Sequence, residues 1–182
     1  DKDSLSFFSL HTDGTGSDFI KVPAGGFRCP SNEATSIAIE DAEGNWRSQD
    51  DIYMNGGEVF NFSIKTEPAA INEILEYSEI SIDEIDYVVF HQANKYIITN
   101  IARRIKLPLD KVPCDTVSKY GNQSSASIPS TINDALNQQV SESKQQLVLS
   151  GFGVGLSWAS AVVNLESIYC PSIKIFKKGG IK

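Results

Sequence analysis

Ile85-Asp86-Tyr87-Val88-Val89-Phe90 is a short apolar run of β-branched and aromatic residues, and His91-Gln92-Ala93-Asn94 follows it directly. Such a run reads as a buried strand. From Ala93 to Ile105 the period changes, and Ile97, Ile98, Ile101, Ala102 and Ile105 fall on one helical face. The stretch predicts strand 85–90, then helix 93–105. His91 sits at the junction, a common place for function in α/β folds.

Outward from this unit, residues 4–12 read as a strand, 13–18 as a turn and 19–22 as a second short strand, together a hairpin. Residues 23–51 are rich in Gly, Ser, Asn, Asp and Glu and read as a long surface excursion. Val59, Phe60, Ile64, Ala70, Ile71, Ile74 and Leu75 predict a helix over 57–77, with Pro68 as a possible interruption. A brief strand at 111–114, a helix at 125–139 and strands at 145–150 and 157–165 complete the pattern. Alternating strands and helices indicate an α/β layered domain over residues 1–166. Residues 167–182, a Lys/Gly-rich end, form a tail with no assigned role.

With 182 residues, 41% hydrophobic and 21% charged, the chain has material for one real core. It has no apolar run near the roughly 20 residues of a membrane span, so a soluble domain without a membrane partner is expected. The net charge of −7 disfavours nucleic-acid binding. Cys29, Cys114 and Cys170 are odd in number and lack CxxC spacing, which points to neither disulfides nor zinc and makes a reducing, cytoplasmic setting the default. The chain opens on Asp1 without a basic-then-apolar leader, so a piece of a longer protein is expected.

Three segments are candidates for chemistry. His91 alone reads more readily as a structural histidine than as a catalyst. Tyr120-Gly121-Asn122-Gln123-Ser124-Ser125-Ala126-Ser127-Ile128-Pro129 reads by itself as a glycine turn with a polar helix entry. Ser150-Gly151-Phe152-Gly153-Val154-Gly155-Leu156-Ser157-Trp158 reads as a glycine-rich hairpin, since no helix with Lys-Ser/Thr follows to bind phosphate.

Taken in order, His-Gln-Ala-Asn at 91–94, Gly-Asn at 121–122 with Ser-Ser-Ala-Ser-Ile-Pro close behind, and Gly-Phe-Gly-Val-Gly-Leu-Ser-Trp at 151–158 form a specific set. With Met54-Asn55-Gly56-Gly57-Glu58-Val59-Phe60, the set resembles the C-terminal half of β-ketoacyl-acyl-carrier-protein synthase III. The resemblance implies a thiolase-like fold, here its C-terminal half, layered α/β/α with a mixed β-sheet. It implies an acyltransferase that loads an acyl primer from acyl-CoA onto a cysteine and condenses it, with decarboxylation, with malonyl carrier protein in fatty-acid initiation. The substrates are then acyl-CoA and the malonyl carrier protein, with no cofactor and no metal.

By the same resemblance, His91 and Asn122 donate hydrogen bonds to the malonyl-derived enolate, and the Val154 backbone N–H helps form the oxyanion hole. Met54, Gly56, Ala93, Asn94 and Phe152 line the substrate tunnel, Phe152 near the reactive cysteine. That cysteine belongs to an N-terminal half absent from this chain, which is therefore expected to be inactive alone. The full-length parent is expected to be a homodimer. Relatives often carry Gly at 154, Phe at 156 and Asn at 57, where this chain has Val154, Leu156 and Gly57. A related acyltransferase, a specialised-metabolite condensing enzyme or a non-catalytic docking domain are the alternatives.

Residues 95–111 hold Lys95, Arg103, Arg104, Lys106 and Lys111 against Asp110 alone. Lys95, Arg103 and Arg104 are expected to form a patch for an acidic carrier protein, with a plain solvated helix face as the other reading. Tyr96 stands where relatives often place arginine. Cys114 follows Val112-Pro113 and reads as a small buried residue, not a nucleophile.

Overall fold

The computed structural model describes residues 5–174. In chain order the strands and helices are β1 (Phe7–Thr12), β2 (Ile20–Lys21), β3 (Ile39–Glu40), β4 (Trp46–Arg47), β5 (Tyr53–Met54), α1 (Gly56–Ser78), β6 (Tyr87–Phe90), α2 (Lys95–Arg104), α3 (Thr116–Tyr120), α4 (Ser127–Ala135), α5 (Asn137–Glu142), β7 (Gln145–Gly153) and β8 (Ser157–Leu165). Contacts divide the chain into two units. Of the described residues, the first takes in 5–11, 63–152 and 158–174, and the second 12–62 and 153–157.

The first unit is built on a four-stranded sheet in the order β1-β8-β7-β6. β6 and β7 pair in parallel, Val88 opposite Val148 and Phe90 opposite Ser150. β7 and β8 are joined by three residues, which only antiparallel neighbours allow, so the sheet is mixed. Gly155 in that turn has φ 146, and a Cβ there would run into the backbone and side chain of Ser157.

Strand alternation gives the sheet two apolar faces. Val89 and Leu147 on one face pack with Leu136 and Val140, together with Ile128 and Ile132, from the α4–α5 side. Val88, Phe90, Val148 and Ser150 point to the opposite face, where α1 lies, since its Glu67 takes a hydrogen bond from Ser150. The layers are helix, mixed sheet, helix, as expected. No helix among the described residues is long and apolar enough to cross a membrane.

α1 runs through Pro68 without a break. Ile71, Ile74 and Leu75 are buried beyond it. Each contributes about 1.5–3 kcal/mol, together outweighing the roughly 3 kcal/mol of a mid-helix proline.

Several local expectations are corrected. Residues 4–12 and 19–22 do not form a hairpin. β1 lies beside β8, and β2 pairs with β5 through Ile20–Met54 and Lys21–Tyr53. Asp13 instead caps a 3-10 turn at Gly14–Gly16 and exchanges backbone hydrogen bonds with Leu156, so non-local pairing satisfies the strand end. Ser4, at the start of that expected strand, lies outside the described residues. Residues 111–114 are not a strand: Pro113 has no N–H for a ladder, and a 3-10 turn at Leu109–Lys111 precedes it.

The helix expected at 125–139 is two helices, because Leu136, buried at φ −126, ψ 7, breaks the path while keeping its bonds to Ile132 and Val140. The exposed 23–51 stretch contains a small hairpin, β3 with β4, whose loop is held by Asp41 accepting from the Glu43 and Asn45 N–H groups. The described part of the tail follows α4 and α5: Ile168 N–H donates to Val140 O, and Asn133 Nδ2 to Pro171 O at 2.6 Å. Residues 175–182 lie outside the described residues.

One polar chain crosses the core. Ser150 Oγ donates to Glu67 Oε2 at 2.8 Å and lies 2.8 Å from Ser160 Oγ. A serine has one hydroxyl hydrogen, so Ser160 donates to Ser150. Glu67 Oε1 has no hydrogen-bond partner among the described residues, and burial raises this carboxyl from 4.5 to about 7, against the opposing Ser150 bond. A folded pKa above the unfolded one means stability that is full below about 4.5 and falls as pH rises through about 7. At 1.36 kcal/mol per unit the fall totals about 3 kcal/mol. Glu67→Gln keeps the shape and removes the titration. Denaturant unfolding between pH 4.5 and 8 should show wild type losing stability relative to this variant by about that amount, and a pH-independent difference would refute the assignment.

Candidate functional site

The end of β6 fixes His91. Its backbone N–H donates to Ser150 O at 2.8 Å, continuing the ladder one residue past the strand, and its carbonyl accepts from Ala93 N–H. Gln92 is buried and spends its amide hydrogens on the carbonyls of Phe90 and Pro113, both at 3.1 Å. Asn94 then caps α2, its Oδ1 accepting from Ile97 N–H at 2.8 Å. Gln92 was not a candidate in the sequence. Its role depends on burial and on a partner 21 residues away, and no local signal carries either.

Asn122 comes to the same place from another direction. α3 ends at Gly121, whose φ of 72 suits glycine, and Asn122 Oδ1 accepts from Ser124 N–H at 2.9 Å. That bond orients the amide and leaves Nδ2 as its donor end. Ser124, at φ 53, is in the left-handed region that non-glycine residues seldom occupy. Its carbonyl faces the His91 ring and favours the protonated form. One residue therefore touches both side chains, Ser124 giving its N–H to Asn122 Oδ1 and turning its carbonyl toward the His91 ring. Phe152 adds an edge-to-face contact with the imidazole, ring centres 5.6 Å apart and planes at 88°.

Burial lowers the His91 pKa below its ordinary value, and the Ser124 carbonyl partly opposes this. The governing cause is burial. A neutral imidazole carries one N–H, for which the Ser124 carbonyl competes, whereas the Asn122 amide keeps its protons at any ordinary pH.

The remaining candidates divide between the units. Ala93 and Asn94 adjoin His91, half-buried and exposed respectively. Met54 ends β5, Gly56 begins α1, and Val154 is 65% exposed in the β7–β8 turn; these three belong to the second unit. The basic set spreads along α2. Lys95 starts α2 and pairs with Asp115, while Arg103 and Arg104 are exposed in its last turn, about 12 Å further along the axis at 1.5 Å per residue. Lys111 turns inward, donating to Ile85 O at 2.6 Å. Cys29, Cys114 and Cys170 are free and half-buried, and burial raises the Cys114 thiol pKa, against a nucleophilic role.

A second polar cluster, unsuspected from sequence, joins β1 to α1. Ser9 Oγ donates to Glu73 Oε1 at 2.8 Å, and His11 Nε2 lies 2.8 Å from Ser9 Oγ and 2.9 Å from Glu73 Oε1. Both contacts fall on one ring nitrogen and the serine proton already points to Glu73, so His11 cannot relay a proton from Ser9 to Glu73. This is a structural brace.

Comparison with known proteins places the geometry. Residues 75–165 match the family model described as 3-oxoacyl-[acyl-carrier-protein (ACP)] synthase III C terminal. The chain is 34% identical over 166 residues to the β-ketoacyl-[acyl-carrier-protein] synthase III of Synechococcus sp. (strain WH7803), covering 91% of this chain and 47% of that one. It is 37% identical over 162 residues to the protein of that name from Pyropia yezoensis, covering 89% and 48%. The crystal structure of 3-oxoacyl-(acyl-carrier protein) synthase from Burkholderia xenovorans LB400 superposes with a TM-score of 0.83 at 33% identity, covering 95% of this chain and 48% of that one. The chain spans about half the length of the curated relatives it matches. The strand-end histidine, the Gly-Asn turn and the glycine-rich hairpin thus lie within a match to one C-terminal half, and the chain belongs to the 3-oxoacyl-acyl-carrier-protein synthase III family.

Proposed function

We propose that this chain is the enolate-stabilising half of a 3-oxoacyl-acyl-carrier-protein synthase III, which condenses an acyl primer from acyl-CoA with a malonyl carrier protein at the start of fatty-acid synthesis. The observation that carries the reading is that one residue, Ser124, lies against both His91 and Asn122. Two polar side chains set against one residue can aim at one oxygen.

The nucleophilic cysteine is assigned to a preceding half of the enzyme, since the cysteines here lack a nucleophile's setting. It takes the acyl group from the CoA sulfur, releasing the thiol. The malonyl thioester then loses CO2, and the electron pair of the broken C–C bond passes into an enolate whose thioester oxygen bears the charge. Asn122 Nδ2 stabilises that oxygen together with the His91 ring N–H, which exchanges the Ser124 carbonyl for the enolate. The enolate carbon next attacks the acyl-enzyme carbonyl, whose oxyanion takes the Val154 N–H, and collapse expels the cysteine thiolate. The chain alone is then inactive. Phe152, held against His91, borders the reacting groups, while Met54, Gly56, Ala93 and Asn94 flank the pantetheine arm. Arg103 and Arg104 meet the acidic carrier protein. The complete enzyme acts in the cytoplasm as a homodimer and needs no cofactor or metal.

Intact mass of the complete enzyme should rise by one acyl group after short-chain acyl-CoA and return on adding malonyl carrier protein, with a β-ketoacyl carrier protein as product. His91→Ala and Asn122→Ala should each slow discharge by about 100- to 1000-fold, and Asn122→Ala should still form the adduct. An adduct untouched by malonyl carrier protein would indicate another acceptor, and no adduct would refute a condensing role. Reversing charge at Arg103 and Arg104 should raise KM for malonyl carrier protein at low salt without changing acyl transfer from CoA; an unchanged KM would remove these residues from docking.

A further inference from the structure

We infer that Asp134 is a positioning residue for Asn122, acting by pinning all of α3 to α4; the inference rests on the proposed role of Asn122. Asp134 lies near the end of α4, with a side chain only 11% exposed. Its Oδ2 takes Lys119 Nζ at 2.7 Å and Thr116 Oγ1 at 3.5 Å, and its Oδ1 takes the Tyr120 hydroxyl at 3.0 Å. These partners include the first and the last residue of α3.

The need for such a clamp follows from length. α3 has five residues, and Asp115 gives it no side-chain cap. A helix this short does not hold itself together in water. Asn122 begins two residues beyond its end, exposed, in a turn that must also carry the left-handed Ser124. The turn is bounded by α3 on one side and, through the 3-10 turn Ser124–Ala126, by α4 on the other. Asp134 ties α3 to α4, whose rigid first two turns carry the other boundary at Ser127, so this carboxylate restrains the span available to residues 121–126.

The clamp is strong for its size. Burial pushes the Asp134 carboxyl up, yet the bonds from Lys119, Tyr120 and Thr116 outweigh it and hold the group below its ordinary range. Three donors on one shielded carboxylate restrain α3 more firmly than an exposed ion pair does.

The test uses the complete enzyme with Asp134→Ala, Tyr120→Phe and Asn122→Ala. Three quantities are read: acyl-adduct formation, CO2 release from malonyl carrier protein, and hydrogen exchange at the Ser124 amide that Asn122 Oδ1 holds. Asp134→Ala should lower kcat for CO2 release by about 10- to 100-fold with KM within about twofold, leave adduct formation unchanged and speed Ser124 exchange at least about tenfold. Tyr120→Phe, which deletes one hydroxyl and preserves the fold, should shift CO2 release and exchange in the same direction by a smaller factor. CO2 release at the wild-type rate, or equal loss in both chemical steps, overturns the inference. Should Asn122→Ala release CO2 normally, the proposed role of Asn122 fails. Ser124 exchange then still decides the clamp: acceleration in Asp134→Ala supports it and unchanged exchange refutes it.

Discussion

The parallel pairing of β6 with β7 is the constraint on which the site depends. The ladder ends where Ser150 accepts the His91 N–H, so the histidine is the first residue beyond the sheet. The same Ser150 turns its hydroxyl to Glu67 on the other face, tying α1 to the strand that holds the histidine. A slip of one residue in this register would exchange the faces of β6 and carry His91 out of place. Apolar faces on both sides of the sheet, Val89 and Leu147 toward α4–α5 and Val88 and Val148 toward α1, make such a slip costly.

Around this fixed point the chemistry is assembled from weak local devices. Gln92 locks the turn, Asn94 starts α2, and Ser124 lies against both His91 and Asn122. Ser124 sits in a strained conformation between Gly121, also at positive φ, and the α4 entry. The fold thus spends backbone strain where two side chains must converge and keeps regular structure elsewhere.

Much of this was legible in the residues. The β6–α2 unit, α1 and the β7–β8 pair announce themselves through apolar period, and the ordered motifs at 91–94, 121–122 and 151–158 lead to the family. What was not legible is non-local. The hairpin expected from residues 4–22 gave way because β8 and β5 offered better partners to β1 and β2. The break at Leu136 leaves no trace in periodicity because its hydrogen bonds continue across it. The basic residues of 95–111 looked like one patch in one dimension, yet Lys95 is paired and Lys111 faces inward. Gln92 and Asp134 are polar residues whose importance lies in what they touch, 21 and about 15 positions away.

The central claim is that His91 and Asn122 act as one device on one oxygen. A double-mutant cycle on CO2 release by the complete enzyme tests it directly. Residues that act as a unit lose their effect together, so the His91→Ala, Asn122→Ala double variant should be little slower than the worse single variant. Losses that multiply would show two independent contributions and contradict the account.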